Sequence, residues 1–327
     1  MKKPSITLKA FDNEIGMRLD KFLSFRLNLS RNQVEKLIKN QQILLNNEVL
    51  DKKGILIKNG DILDIKEQIS PQKTLEIDFC IPILYEDEEV LVINKPINLL
   101  THRVNDLDKE PTLVDYLIEK NFSLSNLGDS HRLGIIHRLD KGTSGAMIIA
   151  KNNTAHENLS LQIQSKTMGR YYLCVIDKPL KEHKIIELPL IRSPKNRLKQ
   201  ITTTSDNPLA KSAKSAFFKI IANPKTELIG AKLFSGRTHQ IRAHLAAINR
   251  HILGDNFYGY KDHYQKRILL HSHLLYFIHP KTQKLIKIYA PLYEDMKEYL
   301  EKSYYQQPLN KDFYIPLDEM YCHFFGK

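Results

Sequence analysis

The chain has 327 residues, 42% of them apolar, with 49 Lys+Arg against 37 Asp+Glu and a formal charge of +12. That excess favours a polyanionic partner, since each phosphate contact releases counterions, and it is concentrated in residues 141–220, with 14 Lys/Arg and 5 Asp/Glu. Cys80, Cys174 and Cys322 lie far apart with no C-x-x-C spacing, which argues against a disulfide framework or a zinc site and fits the reducing cytoplasm; the basic start MKKPSITLKA lacks an apolar h-region, and no run is long enough to span a bilayer, so neither a signal peptide nor a membrane partner is expected.

Residues 11–70 read as a small domain. Leu19, Phe22, Leu23 and Leu27 recur at helical spacing. Ser30 and Gln33 form a capping box for a second helix carrying Val34, Leu37 and Ile38. Strands follow at Ile43–Leu45 and Ile62–Ile65, with the turn residues Asn46-Asn47 after the first. Arg18, Lys21, Arg26, Arg31, Lys36 and Lys39 occupy the exposed helix positions, although residues 11–68 hold 10 basic and 9 acidic residues and are not basic overall.

After a linker around Ser70-Pro71, a second domain runs over 78–300. VLVINKP (90–96) is β-rich and stops at a proline, and Asn98 suits a positive-φ position in the turn that follows. GIIHRL (134–139) and AMIIAK (146–151) read as strand-like runs around a polar loop. YYLCVI (171–176) and AKSAFFKII (213–221) are further strands, and THQIRAHLAAI (238–248) is a helix. Strands and helices do not alternate strictly, so the fold class is α+β, with a mixed, largely antiparallel sheet rather than a doubly wound parallel one. Residues 301–327, aromatic and polar, form a tail that the pattern does not assign.

The chemistry concentrates in GIIHRLDKGTSG, 134–145. Asp140 stands between Arg138 and Lys141, where an apolar run gives way to a glycine-rich loop. A free Asp titrates near 3.9, neighbouring cations hold it ionised, and an ionised carboxylate is a nucleophile or a general base. Taken alone, an Asp between two cations is more often structural, in a turn or a helix cap. In SGRTHQIRAH (235–244), Arg237 and Arg242 can bind phosphate or pair with a carboxylate. His239 and His244 are five apart with no Glu between them, which does not match a metalloprotease pair. Alternation on the strand GRYYLCV puts Tyr171 and Tyr172 on opposite faces, one of them core and the other free to line a cleft.

In this order, EDEEVLVINKP, GIIHRLDKGTSGAMIIAK, GRYYLCV, SGRTHQIRAHLAAINRHILGDNFYG and LLHSHLLYFIHP resemble the RluA-type pseudouridine synthases, most closely their RluD-like branch acting on large-subunit ribosomal RNA. Residues 11–68 resemble the α-L RNA-binding domain of some ribosomal proteins and tyrosyl-tRNA synthetases. The resemblance implies a pseudouridine synthase fold and the isomerisation of uridine to pseudouridine by base flipping, with no cofactor and no metal. It implies Asp140 as the catalytic carboxylate, Tyr172 stacked on the target base, Arg237 paired with Asp140, and Arg138 filling the place of the displaced base. Lys141, Arg242, Arg31, Lys36 and Lys39 are the further RNA contacts expected, in a monomer. Gly142 stands where many members have Asp, Asn98 where many have Gly, and His102 is followed by Arg103-Val104 in place of an HPG-like run. A non-catalytic ribosomal-RNA-binding or ribosome-assembly protein is the alternative. It would use the same basic surface but need no reactive Asp140. A base glycosylase would release free uracil instead.

Overall fold

The structure is a computed structural model describing residues 5–10, 14–27, 31–50, 52, 54–66, 80–103, 110–127, 130–264, 266–310 and 313–326. The chain forms two compact units, residues 1–78 with 102–134, and residues 79–101 with 135–327.

In the first unit, strands β1 (Ser5–Lys9), β2 (Ile43–Leu45), β3 (Glu48–Val49) and β4 (Ile62–Lys66) make an antiparallel sheet in the order β1-β4-β2-β3. Helices α1 (Leu19–Arg26) and α2 (Arg31–Lys39) supply Leu19, Phe22, Leu23, Val34 and Ile38 to its core, as their spacing requires. Asn46 and Asn47 both take positive φ (54° and 69°) in the turn between β2 and β3. Strand β1 is an addition to the expected elements, and the expected cap residue Ser30 lies outside the described residues. Helix α3 (Leu113–Glu119) begins at Thr112, whose hydroxyl oxygen accepts from Asp115 N while the Asp115 carboxylate accepts from Thr112 N.

The second unit is built on a nine-stranded sheet. Its strands are β5 (Ile83–Glu86), β6 (Val90–Lys95), β7 (Ser144–Ala150), β8 (Gly169–Ile176), β9 (Lys184–Ile186), β12 (Ser215–Ala222), β13 (Glu227–Leu233), β14 (Leu270–Ile278) and β15 (Leu285–Tyr289). They run in the order β5-β6-β7-β14-β8-β13-β12-β9, with β15 paired to β14. Among the described residues only the β7–β14 pair is parallel, so the sheet is mixed and largely antiparallel, as expected. A separate hairpin joins β10 (Leu190–Arg192) to β11 (Gln200–Thr202).

Packing differs on the two faces. On one, Ala155 and Leu159 of α4 (Asn153–Ser165) cover Val90, Val92, Ala146 and Ile148. On the other, Tyr171, Leu173 and Val175 meet Met296 and Leu300 of α6 (Glu294–Leu300) and Leu317 and Tyr321 of α7 (Leu317–Phe325). The segment 301–327, unassigned from sequence, thus closes a hydrophobic core. Helix α5 (Gln240–Ala247) carries the GRTHQIR motif and starts two residues later than Thr238, after His239 in a left-handed conformation (φ 56°).

One expected strand does not form. The described residues of 134–139 make a single bridge, Ile135 to Ile149, and no ladder. The side chain of His137 takes the place of a strand hydrogen bond, its Nε2 accepting from Ile148 N at 3.2 Å.

Candidate active site

Asp140 is delivered by a loop braced from behind. Lys95, wholly buried at the end of β6, donates from Nζ to the carbonyls of Pro96 and Leu99, both at 2.8 Å. Asn98, in the expected positive-φ conformation (61°), donates its N–H to Lys141 O at 2.8 Å. Thr101 Oγ1 donates to Leu139 O at 2.9 Å. The turn closes with Thr143 N donating to Asp140 O. Strand β7 then passes so close to β14 that a Cβ on Gly145 (φ 116°) would collide with the Ser272 backbone; only glycine fits there. Ser272 is also the register partner of Tyr172 on β8, so the loop before β7 and the Tyr172 ring flank the same point of β14.

Asp140 keeps 16% of its side-chain surface exposed and opens on a cleft with about 480 Å³ of open space. Arg138, Thr143, Arg170, Tyr172, Arg237 and His239 line this cleft with it. Tyr172 sits deep, and burial pushes its phenol above the ordinary tyrosine value, partly offset by the charge of Arg170. Tyr171 points into the opposite core, as alternation requires.

The guanidinium that pairs with Asp140 is not the one expected. Arg237 lines the cleft, but its Nε donates to Ser212 O at 3.0 Å. Arg242, inside α5, donates from Nη1 to Asp140 Oδ2 at 3.2 Å. Its Nε and Nη2 donate to the buried carboxylate of Asp255 at 2.7 and 2.9 Å. Burial works against the Arg242 charge, yet the bonds to Asp255 and the charge of Asp140 outweigh it and raise its pKa. Arg242 is therefore an internal clamp, and its expected role as an RNA contact is corrected: all three of its donor nitrogens serve carboxylates of the protein.

His239 Nε2 lies 3.7 Å from Asp140 Oδ2, and its Nδ1 lies 3.2 Å from the Tyr258 hydroxyl. Burial lowers its pKa more than Asp140 raises it, so the ring faces Asp140 neutral at pH 7. His244 is buried between Ser215 Oγ and Leu188 O, a structural residue. Gln240 fixes the glycine turn before α5: its Oε1 accepts from Arg237 N and Ser235 Oγ, and its Nε2 donates to Lys214 O and Ser215 Oγ.

Arg138 is exposed at the cleft, and Lys141 is exposed but does not line it. A wider cavity, with about 1360 Å³ of open space, shares Gly236, Arg237 and Thr238 with the cleft. Arg192, Arg197, Lys211 and Arg237 line it, and among the described residues no Asp or Glu does. In the first unit Lys39 is exposed at the end of α2, whereas the side chains of Arg31 and Lys36 lie outside the described ones. The spacing of the motifs gave no sign of Arg170, His239 or Asp255 as site residues.

Residues 89–247 match the family model for RNA pseudouridylate synthase, and residues 17–63 match that of the S4 domain. A Helicobacter pylori protein named uncharacterized RNA pseudouridine synthase is 45% identical over 302 residues, covering 90% of this chain and 92% of its own. Bacillus subtilis YlyB, which bears the same description, is 34% identical over 306 residues, covering 90% of this chain and 97% of its own. The solved structure of human RNA pseudouridylate synthase domain containing 1 shares the fold, with a TM-score of 0.56 at 21% identity over 76% of this chain and 96% of that one. No described helix is long and apolar enough to cross a membrane.

Proposed function

This chain belongs to the RNA pseudouridine synthases, and we propose that it isomerises specific uridines of large-subunit ribosomal RNA, with Asp140 as the catalytic carboxylate. The observation that carries the assignment of Asp140 is its placement: a partly exposed carboxylate, clamped by Arg242, in a cleft that also holds the buried Tyr172 ring. A target uridine must leave its stack to enter, at a cost on the order of a few kcal/mol. Tyr172 receives the uracil by stacking, and exposed Arg138 occupies the vacated place. The four cations of the adjoining cavity follow the RNA backbone, with no described carboxylate there to oppose them. Arg237 belongs to this track rather than to the Asp140 pair. Lys141, Arg31, Lys36 and Lys39 extend the contacts to flanking RNA.

The ribosomal target is supported by the resemblance around HRLD and SPKNRLK and by the S4 domain ahead of the catalytic unit. The enzyme acts as a monomer in the cytoplasm. Pseudouridine mapping across ribosomal RNA, with and without the protein, tests the substrate: one or a few large-subunit positions should revert to uridine in its absence. An unchanged ribosomal map, with sites lost from transfer RNA, would reassign it.

A further inference from the structure

Three buried arginines surround the catalytic loop, and two are fully answered by the protein. Arg242 is held by Asp255 and Asp140, and Arg267 by Asp295, Ser144 Oγ and two backbone carbonyls. Arg170 differs. It is 5% exposed, it lines the Asp140 cleft along β8 with Tyr172, and among the described residues its Nε has no hydrogen-bond partner. Among the described residues no carboxylate or carbonyl bonds its guanidinium. The chain has even cleared space for it: a Cβ on Gly236 would lie 2.7 Å from Arg170 Nη1. Burying a cation without a partner costs several kcal/mol, so a guanidinium so placed is completed by what enters the cleft.

We infer that Arg170 is a further catalytic residue, a preorganised receptor for the negative charge that develops on the uracil carbonyl oxygens during isomerisation; the inference rests on the proposed reaction. When the N1–C1′ bond breaks, its electron pair leaves with the base, which becomes a monoanion with charge spread over N1, O2 and O4. The C5–C1′ bond then forms from that anion, C5 loses its proton, N1 gains one, and the atoms sum to those of the starting uridine. If Asp140 attacks the ring instead, the charge again resides on the carbonyl-conjugated system. The guanidinium bonded to the reacting carboxylate, that of Arg242, is occupied by Asp255 and Asp140. Tyr172 faces the base as a neutral phenol, since burial raises its pKa. Arg170 is the buried cation of the cleft that remains for the base, in surroundings where its charge is poorly screened.

The test compares Arg170→Met, Arg170→Lys and Gly236→Ala with wild type in single turnovers at saturating RNA. The substrates are a ribosomal stem-loop carrying the unmodified target uridine and the same RNA with 5-fluorouridine at the target. Consumption of the target nucleoside is read by digestion and mass spectrometry. Fluorine stabilises the detached base anion, so it substitutes in part for the guanidinium. Arg170→Met is expected to slow consumption of uridine by about 10²–10³-fold, the range for loss of one charge-stabilising donor. Consumption of 5-fluorouridine should slow measurably less. Arg170→Lys should recover part of the rate, and Gly236→Ala, which keeps every charge but displaces Arg170, should show the same fluorine-dependent discount. RNA affinity and melting temperature identify a variant that has lost its fold, in which case Arg170→Lys and Gly236→Ala carry the test. Equal slowing on both substrates, or a loss confined to RNA affinity, overturns the role of Arg170. Wild-type protein inert on every uridine overturns the proposed reaction instead.

Discussion

Replacing Arg242 by Met separates two effects that the site combines. The variant leaves the Asp255 carboxylate, 1% exposed, without its bonds at 2.7 and 2.9 Å, and frees Asp140 from its partner at 3.2 Å. Orphaning one member of a buried ion pair costs about 3–5 kcal/mol, which urea denaturation followed by circular dichroism measures directly. Arg237→Met removes an exposed side chain and should shift stability by no more than about 0.5 kcal/mol. The double variant Arg242→Met with Asp255→Leu removes both buried charges, and such replacements are often neutral or stabilising. It should recover most of the lost stability. It should not recover activity, because Asp140 still lacks the group that orients it, and misplacement of a reacting group by about 1 Å costs roughly 10²-fold. Single-turnover isomerisation of a ribosomal stem-loop reads the second effect. Recovery of turnover in the double variant, or an Arg237→Met loss as large as that of Arg242→Met, would refute the clamp.

Tyr172→Phe should keep stacking and most RNA-dependent turnover, whereas Tyr172→Leu should lose much of it, by about 1–3 kcal/mol of base contact; equal rates in a single-turnover assay would count against stacking. His273 donates from Nδ1 to Ala290 O and accepts at Nε2 from Ile315 N, so only the neutral ring satisfies both. Burial lowers its pKa from 6.5 to about 4. The unfolded chain therefore takes up this proton first as pH falls, and stability is full above pH 6.5 and falls between 6.5 and 4, by at most about 3 kcal/mol from this group. His137 and His271 act in the same direction. Denaturation between about pH 4.5 and 7 should show a shallower slope in His273→Leu than in wild type. Replacing Arg31, Lys36 and Lys39 together by Ala should weaken RNA binding and reduce the slope of log affinity against log salt by about 2–3. Turnover at saturating RNA should be unchanged; a lost rate there would place these residues in the chemistry.

What the sequence made legible was whatever is encoded locally. The apolar spacing of Leu19, Phe22 and Leu23 marks a helix, alternation separates Tyr172 from Tyr171, and the break from GIIHRL to KGTSG marks the turn that presents Asp140. What escaped depends on partners distant in the chain. β1 is a strand because β4, far along the chain, pairs with it. GIIHRL has strand composition, but the His137 ring occupies the hydrogen bond a ladder would need. Arg237 and Arg242 are equivalent as letters. The direction in which α5 approaches the loop, and the carboxylate of Asp255 thirteen residues later, decide which one reaches Asp140. Arg170 carried no local signal, since only the folded sheet reveals that its Nε is left without a partner among the described residues. The aromatic tail carried no clear period, yet Tyr321 and Leu317 close the core behind Tyr171, so its meaning lies in tertiary packing.

Asp140→Asn is the most direct probe of the whole account, because it preserves shape and removes only the reactive carboxylate. Measured in parallel, RNA affinity should match wild type while pseudouridine formation in a single turnover disappears. An Asp140→Asn variant that still converts the target uridine at a comparable rate would show that the chemistry is done elsewhere in the molecule.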